Sequence, residues 1–148
     1  MPIIEKKLGT EAAYLFSMKG PKILIVEDDQ DIRALCREIL EGEGFQVETC
    51  ENGKDAIAYL KGHQQPNLIL LDMMMPVMNG REFMSAYALQ QEKSPQKKPA
   101  APVYLVSATA EKSDGRDMGC LGFLKKPFDF DALVNIARTH CRFARPIS

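Results

Sequence analysis

Short apolar runs alternate with helix-patterned segments from residue 22 onward. Residues 22–26 are mostly β-branched or leucine and lie between Pro21 and an acidic run, which is typical of a strand buried on both faces. Apolar residues from Ile32 through Leu35 to Leu40 recur at intervals of three and four, which predicts one buried face of a helix. Asp29 or Asp31 is predicted to cap that helix.

The same alternation continues along most of the chain. Further strands are predicted at residues 45–50, 68–71, 103–106 and 122–125, and further helices at about 52–61, 80–91 and 129–141. Strands that alternate with helices of this length indicate an α/β fold with a parallel sheet covered on both faces. Ligands of such sheets bind beyond the carboxyl ends of the strands.

Composition and charge exclude several classes of protein. The 148 residues are 45% hydrophobic and 26% charged with a net charge of −1, which is ordinary for a soluble globular domain. A nucleic-acid-binding surface or a polybasic membrane patch would need a basic excess, and no apolar run approaches the roughly 20 residues of a membrane span. The four cysteines form no metal-binding spacing, so we expect reduced thiols in a cytoplasmic protein.

Charged and hydroxyl side chains come directly at the ends of four predicted strands. Glu27 and Asp28 follow the first strand, Asp72 follows the third, Ser107 ends the fourth and Lys126 follows the fifth. Two carboxylates about 4 Å apart repel by roughly 4 kcal/mol at an effective dielectric of 20, so a cation or a bound proton must compensate them. Oxygen ligands suit Mg²⁺ or Mn²⁺, and the full set could hold a phosphoryl group.

These motifs, in this order and spacing, resemble the receiver domains of two-component response regulators. The resemblance covers roughly residues 21–145 and is carried by residues 23–29, 68–80, 106–108 and 125–128. It implies a doubly wound, five-stranded parallel sheet of the flavodoxin-like type, with strand order 2-1-3-4-5. It also implies a phosphoacceptor switch rather than an enzyme with a separate substrate.

The resemblance assigns the chemistry to particular residues. Asp72 is the expected phosphoacceptor, and Glu27 and Asp28 are the acidic pair that would bind Mg²⁺ with it, Asp28 as a direct ligand. The backbone carbonyl of Met74 is the expected further metal ligand. Apolar Met74 and small Thr109 flank the site, which predicts slow hydrolysis of the phosphorylated form.

The remaining matched positions belong to the response to phosphorylation. Ser107 is expected to move toward the phosphoryl group, Lys126 to pair with it, and Phe123 to turn into the vacated space. The implied phosphodonor is a histidine kinase or a phosphotransfer protein. The downstream partner is an unidentified protein, without direct contact to nucleic acid or membrane.

Three segments depart from this pattern. Residues 108–122 are too short and polar for a full helix and turn, so we predict a fourth helix that is short, irregular or missing. Residues 1–20 are expected to be an extension of the receiver domain at 21–148, with a short helix or a loose tail. Nothing after the last predicted helix matches an output domain, so we expect a stand-alone regulator, a relay intermediate or one domain of a longer protein.

One alternative stays open at this point. Because the fourth-helix region is altered, the chain could be a degenerate receiver that binds partners independently of phosphorylation. The complete set of site residues argues against it.

Overall fold

A five-stranded parallel sheet forms the centre of the molecule. The structure is a computed structural model and describes residues 20–95 and 99–141. The strand order is β2-β1-β3-β4-β5, so the predicted fold and order are confirmed. The strands are β1 Lys22–Val26, β2 Gln46–Cys50, β3 Leu68–Leu71, β4 Val103–Ser107 and β5 Gly122–Lys125.

Five helices connect and cover the strands. They are α1 Gln30–Gly42, α2 Gly53–Gly62, α3 Gly80–Lys93, α4 Lys112–Asp117 and α5 Phe130–His140. Asp29, rather than Asp31, caps α1, because its side chain accepts hydrogen bonds from the N–H groups of Asp31 and Ile32. Asn79 caps α3 in a reciprocal arrangement with Glu82.

The core consists of two apolar layers, one on each face of the sheet. Ile69 and Leu71 of β3 face the layer beneath α2 and α3, whereas Leu68 and Leu70 face the layer that includes α1 and α5. Side chains of a strand alternate between the two faces, so burial on both faces requires the unbroken apolar run seen here. The strand that precedes Asp72 is therefore held rigidly from both sides.

Leu35 departs from the predicted buried face of α1. Its side chain is 43% exposed, whereas Cys36 and Leu40 on the same helix are buried. A helix that lies on a sheet buries a narrower stripe than its apolar pattern covers, and Leu35 lies at the edge of that stripe.

The fourth helix is short, as predicted. α4 has six residues, and the Glu111 backbone N–H and the Asp114 side chain close a capping box at its start. Arg81 at the start of α3 donates to Asp114 at 2.6 Å, which links α4 to its neighbour. Of residues 1–20 the structure describes only Gly20. The extension there, with a short helix or a loose tail, therefore stays a prediction.

The first residue of α3 lies against the backbone of Asp72. Gly80 N–H donates to the carbonyl of Met73 at 2.8 Å. A Cβ atom at Gly80 would lie 2.7 Å from the carbonyl oxygen of Asp72 and 3.0 Å from Cα of Met73. Only a residue without a side chain permits this close approach of two backbones.

We therefore expect Gly80→Ala to lower the free energy of unfolding by about 1–3 kcal/mol, the usual cost of overpacking a rigid site. Urea denaturation measures this change. Gly62→Ala is the matched control, since nothing lies within 4 Å of a Cβ atom at that helical glycine. An unchanged stability of Gly80→Ala would contradict the proposed steric role.

Candidate functional site

The carboxyl ends of β1 and β3 lie side by side. Val26 pairs with Leu71, so the residues that follow them, Glu27 and Asp72, are neighbours. Asp72 N–H donates to the carbonyl of Val26 at 3.0 Å, and Glu27 N–H donates to the carbonyl of Cys50 at 3.0 Å. Backbone hydrogen bonds therefore fix the position from which both carboxylates extend.

Three carboxyl groups meet at this edge of the sheet. One oxygen of each of Glu27, Asp28 and Asp72 lies within 4.8 Å of the others. Glu27 is 3% exposed and Asp72 is 8% exposed, whereas Asp28 lies at the open side of the cluster. The three predicted acids thus lie together, with Glu27 and Asp72 buried and Asp28 exposed.

Lys126 supplies the positive charge in the cluster. Its ammonium donates a hydrogen bond to the Glu27 carboxyl group and lies 3.7 Å from Oδ2 of Asp72. The predicted pairing of Lys126 with a phosphoryl group on Asp72 stays a prediction; in the structure its shorter contact is to Glu27. The long flexible lysine side chain settles nearest the more buried of the two acids, where its charge is least screened.

The electrostatics of Glu27 follow from this burial. Desolvation raises the pKa of Glu27 to about 8, the neighbouring Asp72 carboxylate adds to the rise, and the Lys126 ammonium opposes it. One lysine therefore does not compensate the charge of the acids, and a further cation or a proton is needed.

The donor set fits a hard divalent cation. All three side chains offer oxygen, which Mg²⁺ and Mn²⁺ prefer. Oε2 of Glu27 is buried and has no hydrogen-bond partner among the residues that the structure describes. A buried, unpaired carboxylate oxygen that borders two further carboxylates is consistent with a cation-binding site. Coordination by the carbonyl of Met74 stays a prediction.

Ser107 and Phe123 lie on the other side of the cleft, on β4 and β5. The buried hydroxyl of Ser107 accepts hydrogen bonds from the N–H groups of Thr109 and Ala110, both at 3.3 Å. Phe123 is half-buried and packs against the core layer beneath α2 and α3. Ser107 thus holds its own loop here, and its approach to a phosphoryl group stays a prediction.

The methionines next to Asp72 divide into two kinds. Met73 and Met75 are buried in the core, whereas Met74 is 61% exposed.

Sequence reasoning did not identify Arg33 on α1. Its guanidinium donates to the backbone carbonyls of Glu27 at 2.8 Å and Asp28 at 3.3 Å. An arginine on a polar helix position gives no sequence signal that separates such a contact from ordinary solvent exposure.

The chain belongs to the response regulator receiver domain family, whose model matches residues 23–138. The transcriptional regulatory protein PcoR of Escherichia coli is 36% identical over 125 residues, which cover 84% of this chain and 53% of PcoR. The chain spans about half the length of the curated relatives it matches.

Solved receiver structures share the fold. The chemotaxis protein CheY4 of Vibrio cholerae superimposes with a TM-score of 0.69 at 28% identity, over 82% of this chain and 98% of that chain. The receiver domain of the sensor histidine kinase PA1611 of Pseudomonas aeruginosa gives a TM-score of 0.68 at 23% identity, over 82% and 97%. A magnesium ion is coordinated in the active-site cleft of that protein.

No helix among the described residues is long and apolar enough to cross a membrane.

The raised pKa of Glu27 predicts how the stability of the metal-free protein depends on pH. The folded protein holds this proton up to about pH 8, whereas the unfolded chain releases it near the ordinary value of 4.5. Between these values the folded state binds more protons, so the free energy of unfolding falls as the pH rises.

Urea denaturation in a chelating buffer, at several values between about pH 5 and 8, measures this dependence. Glu27→Gln is the control, because it keeps the shape of the side chain and removes the titrating group. The difference in stability between the two proteins should change in favour of Glu27→Gln as the pH rises. Parallel profiles would contradict the assignment.

Proposed function

We propose that the chain is a phosphoacceptor switch in which Asp72 takes a phosphoryl group from a phosphohistidine of a partner protein. The observation that carries this proposal is the position of Asp72. It is buried at the tip of a strand packed on both faces, next to two acids and a lysine. A rigid, partly desolvated carboxylate with neighbouring charge compensation suits a nucleophile.

In the proposed reaction, a carboxylate oxygen of Asp72 attacks phosphorus and the phosphorus–nitrogen bond of the donor breaks. Glu27, Asp28 and Asp72, with the carbonyl of Met74, would hold Mg²⁺, or Mn²⁺ in its place. A bound divalent cation offsets the charge between the nucleophile and the phosphoryl oxygens. Lys126 already lies 3.7 Å from Asp72 and would pair with the transferred group.

The response begins with the charge of about −2 that the acyl phosphate carries. The Ser107 hydroxyl would donate its O–H to the phosphoryl group, and a movement toward that group would weaken the long bonds that it accepts from the N–H groups of Thr109 and Ala110. The loop that leads to α4 is then free to move, and Phe123 can turn toward the space. A local change of charge would thereby alter the surface around α4.

The proposed partners follow from this chemistry. The phosphodonor is a histidine kinase or a phosphotransfer protein, and the signal passes on to a downstream protein. We place the protein in the cytoplasm, where such donors act, and assign it no direct binding of nucleic acid or membrane.

Phosphorylation is tested by incubating the protein with acetyl phosphate and Mg²⁺ and measuring its intact mass. One phosphoryl group should add about 80 Da to the wild type and nothing to Asp72→Asn. Asp28→Asn, which removes one predicted metal ligand, should slow the reaction most at low Mg²⁺.

An unmodified wild type, or the same mass gain in Asp72→Asn, would exclude Asp72 as the phosphoacceptor. An unmodified wild type would favour the alternative of a phosphorylation-independent interaction module. A binding comparison of the phosphorylated and unphosphorylated protein with candidate partners would then separate a switch from a constitutive binder.

The exposed Met74 side chain predicts a long-lived phosphoryl group. Its thioether is only a weak acceptor, and the Thr109 hydroxyl lies 3.3 Å from that of Ser107, which competes with a water for it. We expect the phosphorylated form to decay over minutes or longer, and Met74→Asn to decay faster because an amide can hold the water. Loss of the label within seconds in the wild type would contradict this expectation.

A further inference from the structure

We propose that Arg33 is a positioning residue that orients Asp28 for metal binding by fixing the backbone on both sides of it. This inference rests on the proposed function. Arg33 is proposed to act indirectly, because it holds the loop that carries the predicted ligand Asp28.

The contacts of Arg33 are specific to this loop. Nη1 of the guanidinium lies 2.8 Å from the carbonyl oxygen of Glu27 and 3.3 Å from that of Asp28. Nη2 lies 3.7 Å from Oε1 of Glu51, which follows β2. The Arg33 side chain is only 14% exposed, and its short bond to the Glu27 carbonyl is partly buried. The longer bond to Asp28 is exposed and Glu51 is 72% exposed, so the Glu27 bond is the main anchor.

The two carbonyls belong to the peptide groups that flank Asp28. Each peptide group is planar, so the orientations of the two planes set φ and ψ of the residue between them. Those angles determine the direction of the bond from Cα to Cβ. A donor that holds both carbonyls therefore sets the direction in which the Asp28 side chain leaves the backbone, and so limits the positions that its carboxylate can reach.

Asp28 needs this support more than its neighbours. Glu27 is held by its N–H bond to Cys50, and Asp29 is held as the cap of α1. Asp28 is exposed and lies within 4.8 Å of two other carboxylates, whose repulsion favours turning it out toward water. The Arg33 contacts oppose a turn of the backbone that would carry Asp28 away from the other two acids.

The guanidinium also brings a positive charge, which acts in the opposite direction. Near a cation site a positive charge weakens metal binding, although Glu51 partly neutralises this one. Removal of Arg33 should tighten Mg²⁺ binding if its charge dominates, and should weaken it if its positioning dominates. The two roles therefore predict opposite signs.

The test is calorimetric titration of the full chain with Mg²⁺ in the wild type, Arg33→Met and Arg33→Lys. Loss of an indirect positioning contact typically lowers metal affinity at least tenfold, so we expect about tenfold weaker binding for Arg33→Met. We expect about threefold for Arg33→Lys, because an ammonium lacks the rigid planar arrangement of donors. Arg37→Met, one turn further along α1 where the side chain pairs with Glu41, is the matched control and should bind as the wild type does.

A second measurement separates positioning from general damage. In phosphorylation by acetyl phosphate, the Mg²⁺ concentration for half-maximal rate should rise by the same factor in Arg33→Met. The rate at saturating Mg²⁺ should stay within about twofold of the wild type. A fall in the saturating rate with unchanged Mg²⁺ dependence would overturn the proposal.

Unchanged or tighter Mg²⁺ binding by Arg33→Met also overturns the proposal. If Arg33→Met does not fold, Arg33→Lys decides, and wild-type affinity in that variant overturns it. These outcomes leave the proposed function intact as long as the wild type binds Mg²⁺ and is phosphorylated. A wild type that does neither overturns both the function and this inference.

Discussion

The mutual repulsion of three carboxyl groups is the constraint around which the site is built. Parallel strands place Glu27 and Asp72 at neighbouring carboxyl ends, and the loop after β1 adds Asp28. Water screens the first two poorly because both are buried. Lys126 offsets part of the charge, while burial, and after it the neighbouring Asp72, raise the pKa of Glu27. A site in this condition has a strong electrostatic preference for a cation.

The sheet supplies the rigidity that keeps the carboxylates together. β1 and β3 are buried on both faces, so neither strand can shift its end without disturbing two core layers. Gly80 brings the start of α3 directly onto the backbone of Asp72, which removes a further direction of movement. The packing of the apolar core therefore also determines the position of the proposed nucleophile.

The sequence predicted the fold and the strand ends well, because an apolar run and the residue after it are local features. The run before Asp72 identifies β3, and the buried strand then determines where Asp72 lies. Side-chain directions beyond the strand ends were not predictable in the same way. Whether Lys126 lies nearer Glu27 or Asp72 depends on relative burial, and the contacts of Arg33 depend on how α1 docks on the sheet. The prediction that Leu35 is buried was wrong for the same reason, since the docking of α1 decides which edge of its apolar stripe remains exposed.

The two sides of the cleft differ in how firmly they are held, and this difference would give the proposed switch a physical direction. On the acid side, backbone bonds within the sheet and the Arg33 contacts hold the residues in place. On the opposite side, the Ser107 hydroxyl makes two long bonds to its own loop, and a six-residue helix follows. Added negative charge at Asp72 would attract the Ser107 hydroxyl, whose O–H can donate a stronger bond to an anion than to a neutral group. Movement should therefore pass toward α4 and away from the carboxylates, which keeps the chemical site constant while the surface changes.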